Sequence, residues 1–334
     1  MMAATIKDIA KRTGLGLATI SKYLNGGTVR EKNKIIIDQA IQELGFTVNG
    51  FARSLKTSRS RTIGVLIPEL SNGFITSIIT VLEDILQRNG YGIIVCDSRT
   101  DAKRQQEAIG FLLEKMVDGL VIMPTGNDGA CLLPALEKKV PVVLIDRQLT
   151  GVAGEFGSVL IDNYQISKQC IEYLLESHHQ KIGIIAGPKE VSTSLQRLAG
   201  YREALAEKGV PFEERFVVFG GYTIEGGYEA FHSLLKQAPD LSAIFVTNYE
   251  MTLGAMLAIN ERGIRIPDEL SFIGFDNLEL ARLVKPKLTI VEQPIAQMGE
   301  KAAQLLLEQL LKEKAPRKIV LDATLRMGDS IKVL

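Results

Sequence analysis

From Arg61 onward, short runs of β-branched and aliphatic residues alternate with longer amphipathic stretches, and this alternation constrains the fold most. The runs are Ile63–Ile67, Gly92–Cys96, Gly119–Met123, Val142–Ile145, Val159–Ile161, Ile182–Ala186, Val217–Phe219, Ala243–Val246 and Phe272–Phe275. Continuous apolar character over four or five residues predicts strands buried on both faces, and therefore a mostly parallel sheet covered by helices. The intervening stretches, such as Phe74–Arg88, Lys103–Lys115 and Gln196–Glu207, carry apolar residues at helical spacing. A shorter strand-like run, Arg317–Leu321, follows near the C-terminus.

The pattern repeats itself. Arg61–Pro68 is echoed by Gln180–Gly187, and Val143–Arg147 is echoed by Ile273–Asn277. Two similar α/β lobes in tandem predict a cleft at the carboxyl ends of their strands, where open α/β sheets bind ligands.

The first sixty residues differ in kind. Residues 1–61 hold eleven Lys/Arg against four Asp/Glu, whereas the whole chain balances 39 against 39. A basic segment joined to an acidic remainder suggests a polyanionic partner for the segment alone. Three short helices are expected in it. Thr5 caps Ile6–Thr13 with Asp8 in the first turn, Gly14-Leu15-Gly16 breaks the chain, and a second helix covers Leu17–Leu24. Asn25-Gly26-Gly27 ends that helix, and a third near Lys32–Leu44 closes at Gly45. Leu15, Ile20, Leu24, Ile37, Ala40, Ile41 and Leu44 are the expected core. Two short helices joined by a tight glycine-containing turn form a helix-turn-helix, whose second helix enters the DNA major groove. Its exposed positions are Leu17, Ala18, Thr19, Ser21 and Lys22. A dinucleotide-binding reading of Gly14-Leu15-Gly16 fails, because no strand precedes it and the third glycine is missing.

The stretch Thr5–Gly26 resembles the head of the lactose/galactose-repressor family of bacterial transcription regulators. The similarity continues in order through Glu43–Phe46, Ala52–Lys56, Arg61–Pro68, Val117–Leu120, Pro141–Arg147, Arg197–Tyr201, Gly274–Asn277 and Glu292–Pro294. It departs from the family pattern at Gly16, Lys22, Val48 and Gly50, with Tyr249 and Val191 at often-polar positions of the core. The resemblance implies a small all-α helix-turn-helix head on an α/β two-lobed, periplasmic-binding-protein-like core with mostly parallel sheets. The head spans 1–47, and a hinge helix with linker spans 48–61. The core spans 62–334, with an N-terminal lobe of about 62–161 and 293–322 and a C-terminal lobe of about 162–292 and 323–334.

Function follows from the same resemblance: a repressor that binds a palindromic operator as a homodimer and responds to a small-molecule effector. Thr5, Asn25 and Asn49 join the recognition-helix residues as DNA contacts. In the hinge, Leu55 is the minor-groove wedge, with Ala52 against the partner and Arg53 and Lys56 near phosphates. A wedge of this kind kinks the duplex towards the major groove. Effector contacts carried over residue by residue are Phe74, Arg147, Thr193, Arg197, Tyr222, Asn248 and Asp276. Aspartate and asparagine suit vicinal hydroxyls, the aromatics suit the apolar face of a sugar, and the two arginines lean towards an anion such as a sugar acid.

Other functions lack parts. His178, His179 and His232 are the only histidines, and no GxSxG, Walker A or HExxH pattern occurs, so no enzyme, cofactor or metal site is expected. Cys96, Cys131 and Cys170 stand apart with no CxxC, consistent with a reducing compartment. No apolar run reaches membrane-spanning length and the N-terminus lacks a signal-peptide core, so a cytoplasmic protein is expected. A sugar-binding protein without DNA regulation is the alternative, against which the basic head argues. No leucine-heptad tail follows Arg317–Leu321, which favours a dimer.

Overall fold

The computed structural model describes residues 4–24, 27–46, 59–276 and 278–334. The chain divides into two compact units, residues 1–60 and 61–334.

The first unit contains α1 (Ile6–Thr13), α2 (Leu17–Leu24) and α3 (Glu31–Leu44). Ile9, Ile20, Ile37 and Ala40 are buried at its centre, with Leu15, Tyr23, Leu24, Ile41, Leu44 and Phe46 packed around them. Gly14 ends α1 in the left-handed region (φ 69°), which costs glycine nothing and lets the chain turn tightly into α2. Thr5 caps differently from a simple acceptor. Its backbone N–H and hydroxyl both donate to the Asp8 carboxylate, at 2.8 and 2.7 Å, and hold that carboxyl below its ordinary range. The third helix begins one residue earlier than the spacing suggests, at Glu31.

The second unit runs β1 (Thr62–Ile67), α4 (Gly73–Arg88), β2 (Gly92–Asp97), α5 (Ala102–Glu114), β3 (Gly119–Ile122), α6 (Leu133–Glu137), β4 (Val142–Ile145) and β5 (Gly157–Ile161). It continues with α7 (Asn163–Glu176), β6 (Ile182–Ala186), α8 (Ser192–Glu207), β7 (Val217–Phe219), α9 (Ile224–Gln237), β8 (Ala243–Val246), α10 (Tyr249–Glu261) and β9 (Ser271–Phe275). The last elements are α11 (Leu278–Leu283), β10 (Thr289–Glu292), α12 (Ile295–Leu310), β11 (Lys318–Leu321) and β12 (Thr324–Arg326).

Two sheets of six described strands result, ordered β11-β5-β4-β3-β1-β2 and β12-β10-β9-β8-β6-β7. Every neighbouring pair is parallel except β10 with β12. The internal echo of the sequence is thereby a structural repeat. β1 and β6 occupy the same place in their sheets, as do β4 and β9. The lobes exchange helices: α7 leaves β5 and packs on α8 of the second lobe, while α12 leaves β10 and packs on α4 and β3–β5 of the first. With the step from β11 to β12, the chain crosses between lobes three times.

Burial on both faces holds for β3, β4, β5, β6, β8 and β9. It does not hold for β2 and β7, whose residues are half-buried or exposed, because both are sheet edges. β10 has only two apolar residues and β12 one, so neither stands out as an apolar run. Thr289 nonetheless lies fully buried, its N–H donating to Ser330 Oγ at 2.7 Å. Side-chain caps begin α4, α5, α7, α9 and α10, where Asn72, Asp101, Asp162, Thr223 and Asn248 each accept a first-turn N–H. Each cap contributes about 1 kcal/mol.

Candidate functional site

The repeated strands β4 and β9 end on equivalent aspartates. Asp146 and Asp276 both adopt left-handed backbone (φ 67° and 64°), and each N–H donates to the neighbouring strand, Val159 O at 3.0 Å and Val291 O at 2.7 Å. Aspartate tolerates this conformation better than most residues. The turn aims both carboxyls into the gap between the lobes.

Around them lie Asn72, Phe74, Ile75, Met123, Arg147, Thr193, Arg197, Tyr222, Asn248 and Gln293, enclosing a cavity of about 30 Å³. All seven side chains expected at the effector site from sequence therefore line one cavity, drawn from both lobes. Thr193 and Tyr222 join hydroxyls at 2.9 Å, and Tyr222 holds a left-handed φ of 62°. Gly187 makes that placement feasible, since a Cβ there would meet the Tyr222 ring at 2.1 Å.

Both arginines are engaged. Arg147 pairs with Asp146 (3.5 Å), donates to Pro124 O (2.8 Å), and sits 5.6 Å from the Tyr222 ring centroid. Arg197 donates to Asn163 Oδ1 (2.7 Å) and to Thr247 O, and stacks 3.8 Å from the Phe275 centroid. Arg147 is thus paired with an acid, whereas Arg197 is held by neutral partners and an aromatic ring. Asn248 spends Oδ1 on the N–H of Met251 (2.9 Å), and Gln293 Nε2 donates to Asp276 Oδ2 (2.7 Å). Burial pushes the Asp276 carboxyl up to about 7, against the pull of Arg197, and raises Asp146 also. Four buried atoms in this cavity have no hydrogen-bond partner: Asp146 Oδ1, Asp276 Oδ1, Gln293 Oε1 and Arg147 Nε, the last making only the ion pair to Asp146. Three of the four are acceptors.

Sequence reasoning did not assign Asn72, Asp146 or Gln293. Asp146 was signalled by its echo of Asp276, and Gln293 stood inside the Glu292–Pro294 motif. Val191, an often-polar position in the family, packs into the second lobe's core instead of lining the cavity. A larger groove of about 650 Å³ lies along α10 and α11, lined mainly by apolar side chains such as Leu253, Met256, Leu257 and Leu280. None of the unpartnered buried atoms belongs to its lining, whereas four of them belong to residues lining the smaller cavity.

In the first unit, Thr5, Leu17, Ala18 and Lys22 are exposed, while Thr19 and Ser21 are half-buried. Leu17 is 47% exposed on a helix whose Ile20 is fully buried, so α2 presents one face outward. Ile35, at 53%, adds apolar surface that nothing in the structure explains. Asn25, Asn49, Ala52, Arg53, Leu55, Lys56 and the expected hinge helix lie outside the described residues. Among the described residues no group of three or more His, Cys, Asp or Glu is placed to hold a metal ion, and no helix is long and apolar enough to cross a membrane.

Comparison with known proteins agrees with both units. Residues 5–49 match the bacterial regulatory proteins of the lacI family, and residues 60–325 match the periplasmic binding proteins and sugar binding domain of LacI family. Catabolite control protein A of Priestia megaterium is 33% identical, covering 96% of each chain. The HTH-type transcriptional repressor PurR of Proteus mirabilis (strain HI4320) is 34% identical, over 93% of this chain and 92% of its own. The transcriptional regulator CelR in complex with cellobiose superposes with a TM-score of 0.75 at 29% identity, covering 98% of this chain and 99% of that one. With a family match across both head and core, the chain belongs to the LacI family of bacterial regulatory proteins and is a DNA-binding transcriptional regulator, not an enzyme.

Proposed function

We propose that the chain is a cytoplasmic repressor that binds a palindromic operator as a homodimer and is switched by an uncharged carbohydrate in the cleft between its lobes. The observation that carries the effector reading is the set of unpartnered acceptors on Asp146, Asp276 and Gln293. Buried acceptors without partners are costly, and a ligand rich in hydroxyl donors satisfies them. Phe74 and Tyr222 supply the aromatic faces on which a pyranose or furanose ring rests. The cellobiose bound to CelR is a ligand of this chemical kind. A cavity of about 30 Å³ holds a water molecule, not a sugar, so the lobes part to admit the effector. A thermal-shift screen of neutral sugars against the matching uronic acids and sugar phosphates tests the reading. Stabilisation by a neutral sugar, lost in Asp276→Ala, is expected; stabilisation only by anions contradicts it.

Dimer formation is supported by the apolar groove on α10 and α11. Leu257 in its lining is 44% exposed, and Leu283, next in sequence to the lining residue Val284, is 82% exposed; exposed apolar surface of this kind marks association sites. Leu283→Lys should convert the dimer to monomer in sedimentation and weaken operator binding at least a hundredfold, since one head then contacts one half-site. An unchanged dimer would place the interface elsewhere.

A further inference from the structure

A buried carboxylate bridges the two lobes at the edge of the cavity, in addition to the bonds that Asn127 and Gln148 of the first lobe make to Ser192 of the second (2.9 and 3.1 Å). Glu250, in the first turn of α10, is 8% exposed. Its Oε2 accepts from Nδ2 of Asn248, the cap of its own helix, at 3.3 Å, and from Nδ2 of Asn72, the cap of α4 in the other lobe, at 2.6 Å. Each asparagine keeps its Oδ1 on its own helix, at Ile75 N (3.1 Å) and Met251 N (2.9 Å). One acid thus ties together two N-cap side chains, one from each lobe, and both asparagines line the cavity. Alongside, a Cβ on Gly73 would lie 2.9 Å from the Tyr249 hydroxyl, so the absent side chain leaves room for the Tyr249 ring tip against the start of α4.

Nothing in this arrangement requires a charge. The groups acting on Glu250 are acidic or neutral: Glu69 from the loop before α4, and Asn248 on its own helix. Asp276 from the end of β9 and Glu279 from α11 share with it the surroundings of Tyr249. Among the described residues no cation pairs with it, and burial pushes its carboxyl from 4.5 up to about 7.

We infer that Glu250 is a positioning residue of the effector cleft: acting through Asn72 and Asn248 it clasps the lobes, and an effector enters by breaking the Asn72–Glu250 bond. The role presupposes the effector cleft proposed above. Parting the lobes hydrates the carboxyl and returns it to its ordinary range, so closing takes up a proton. Closure is favoured at low pH and loses that advantage as pH rises through about 7. Between pH 6 and pH 8 the closed-to-open ratio should fall about tenfold on account of Glu250.

Hydrogen exchange on the full chain, with neither ligand nor DNA present, tests this. Peptides over residues 71–78 and 248–253 are followed at pH 6 and pH 8, with intrinsic exchange rates normalised. Wild type should lose protection at pH 8, by about tenfold through Glu250 and by a further amount through Asp276. Glu250→Gln retains an oxygen for both asparagines and carries no charge, so its loss should be about tenfold smaller than that of wild type, leaving only what Asp276 contributes. Glu250→Ala should be poorly protected at both. The clasp is overturned if wild type shows no loss, if Glu250→Gln shows the same loss as wild type, or if a folded Glu250→Ala matches wild type throughout. Should Glu250→Ala not fold, the comparison of wild type with Glu250→Gln decides alone. With no effector in the experiment, failure here leaves the regulator reading standing, whereas failure of the sugar screen does not touch the clasp.

Discussion

Arg197→Ala should cost about 3–5 kcal/mol in chemical denaturation and abolish the response to effector, while the folded fraction still binds operator. The size follows from what the guanidinium holds. It is 4% exposed, it satisfies Asn163 Oδ1 and the Thr247 carbonyl, and it covers the Phe275 ring. Its charge also opposes the burial that raises Asp146 and Asp276. Without it, Asp276 loses its cation and takes up a proton instead, while Asp146 keeps Arg147. Lysine should not rescue, because an ammonium cannot span Asn163 and Thr247 while lying flat on a ring. Stability within 1 kcal/mol of wild type would show that the arginine is replaceable and the cleft differently balanced.

Operator affinity should fall roughly 10³- to 10⁵-fold between 50 and 200 mM salt, the second large effect. Eleven basic residues among the first 61 provide for the six to ten phosphate contacts that such a slope requires. Leu55→Ala should weaken operator binding by about 1–3 kcal/mol without changing the slope, because a minor-groove wedge works by deforming a particular step, not by neutralising charge. Non-specific binding should be nearly unaffected. Fluorescence anisotropy with specific and scrambled duplexes separates the two. A shallow slope would mean that the head does not bind along the phosphate backbone.

How much was legible in the sequence depends on whether the signal was local. Central strands such as β4 and β8 could be read directly, because four consecutive apolar residues have few alternatives to burial on both faces. β10 could not, since Thr289 is buried with its N–H donating to Ser330 Oγ, some forty residues on. The cleft residues were legible through resemblance, and Asp146 through repetition. Glu250 had no such signal. An acid in the first turn of a helix ordinarily faces water and favours the dipole, and this one is buried against Asn72, which arrives from the other lobe. The surroundings of the two arginines were not legible for the same reason. Their charges are written in the chain, but Asp146, Asn163 and Thr247, the partners that occupy them, are placed by the fold.

A single titration bears most directly on the claim that this chain couples a small molecule to DNA. A palindromic duplex selected from random DNA by the purified protein is titrated with protein, alone and with whichever neutral sugar stabilises it in the thermal screen. The predicted result is a shift of operator Kd by roughly 5- to 150-fold, matched by an equal change in sugar affinity when operator is present. A sugar that stabilises the protein but leaves operator Kd unmoved would contradict it, as would a failure to select any sequence.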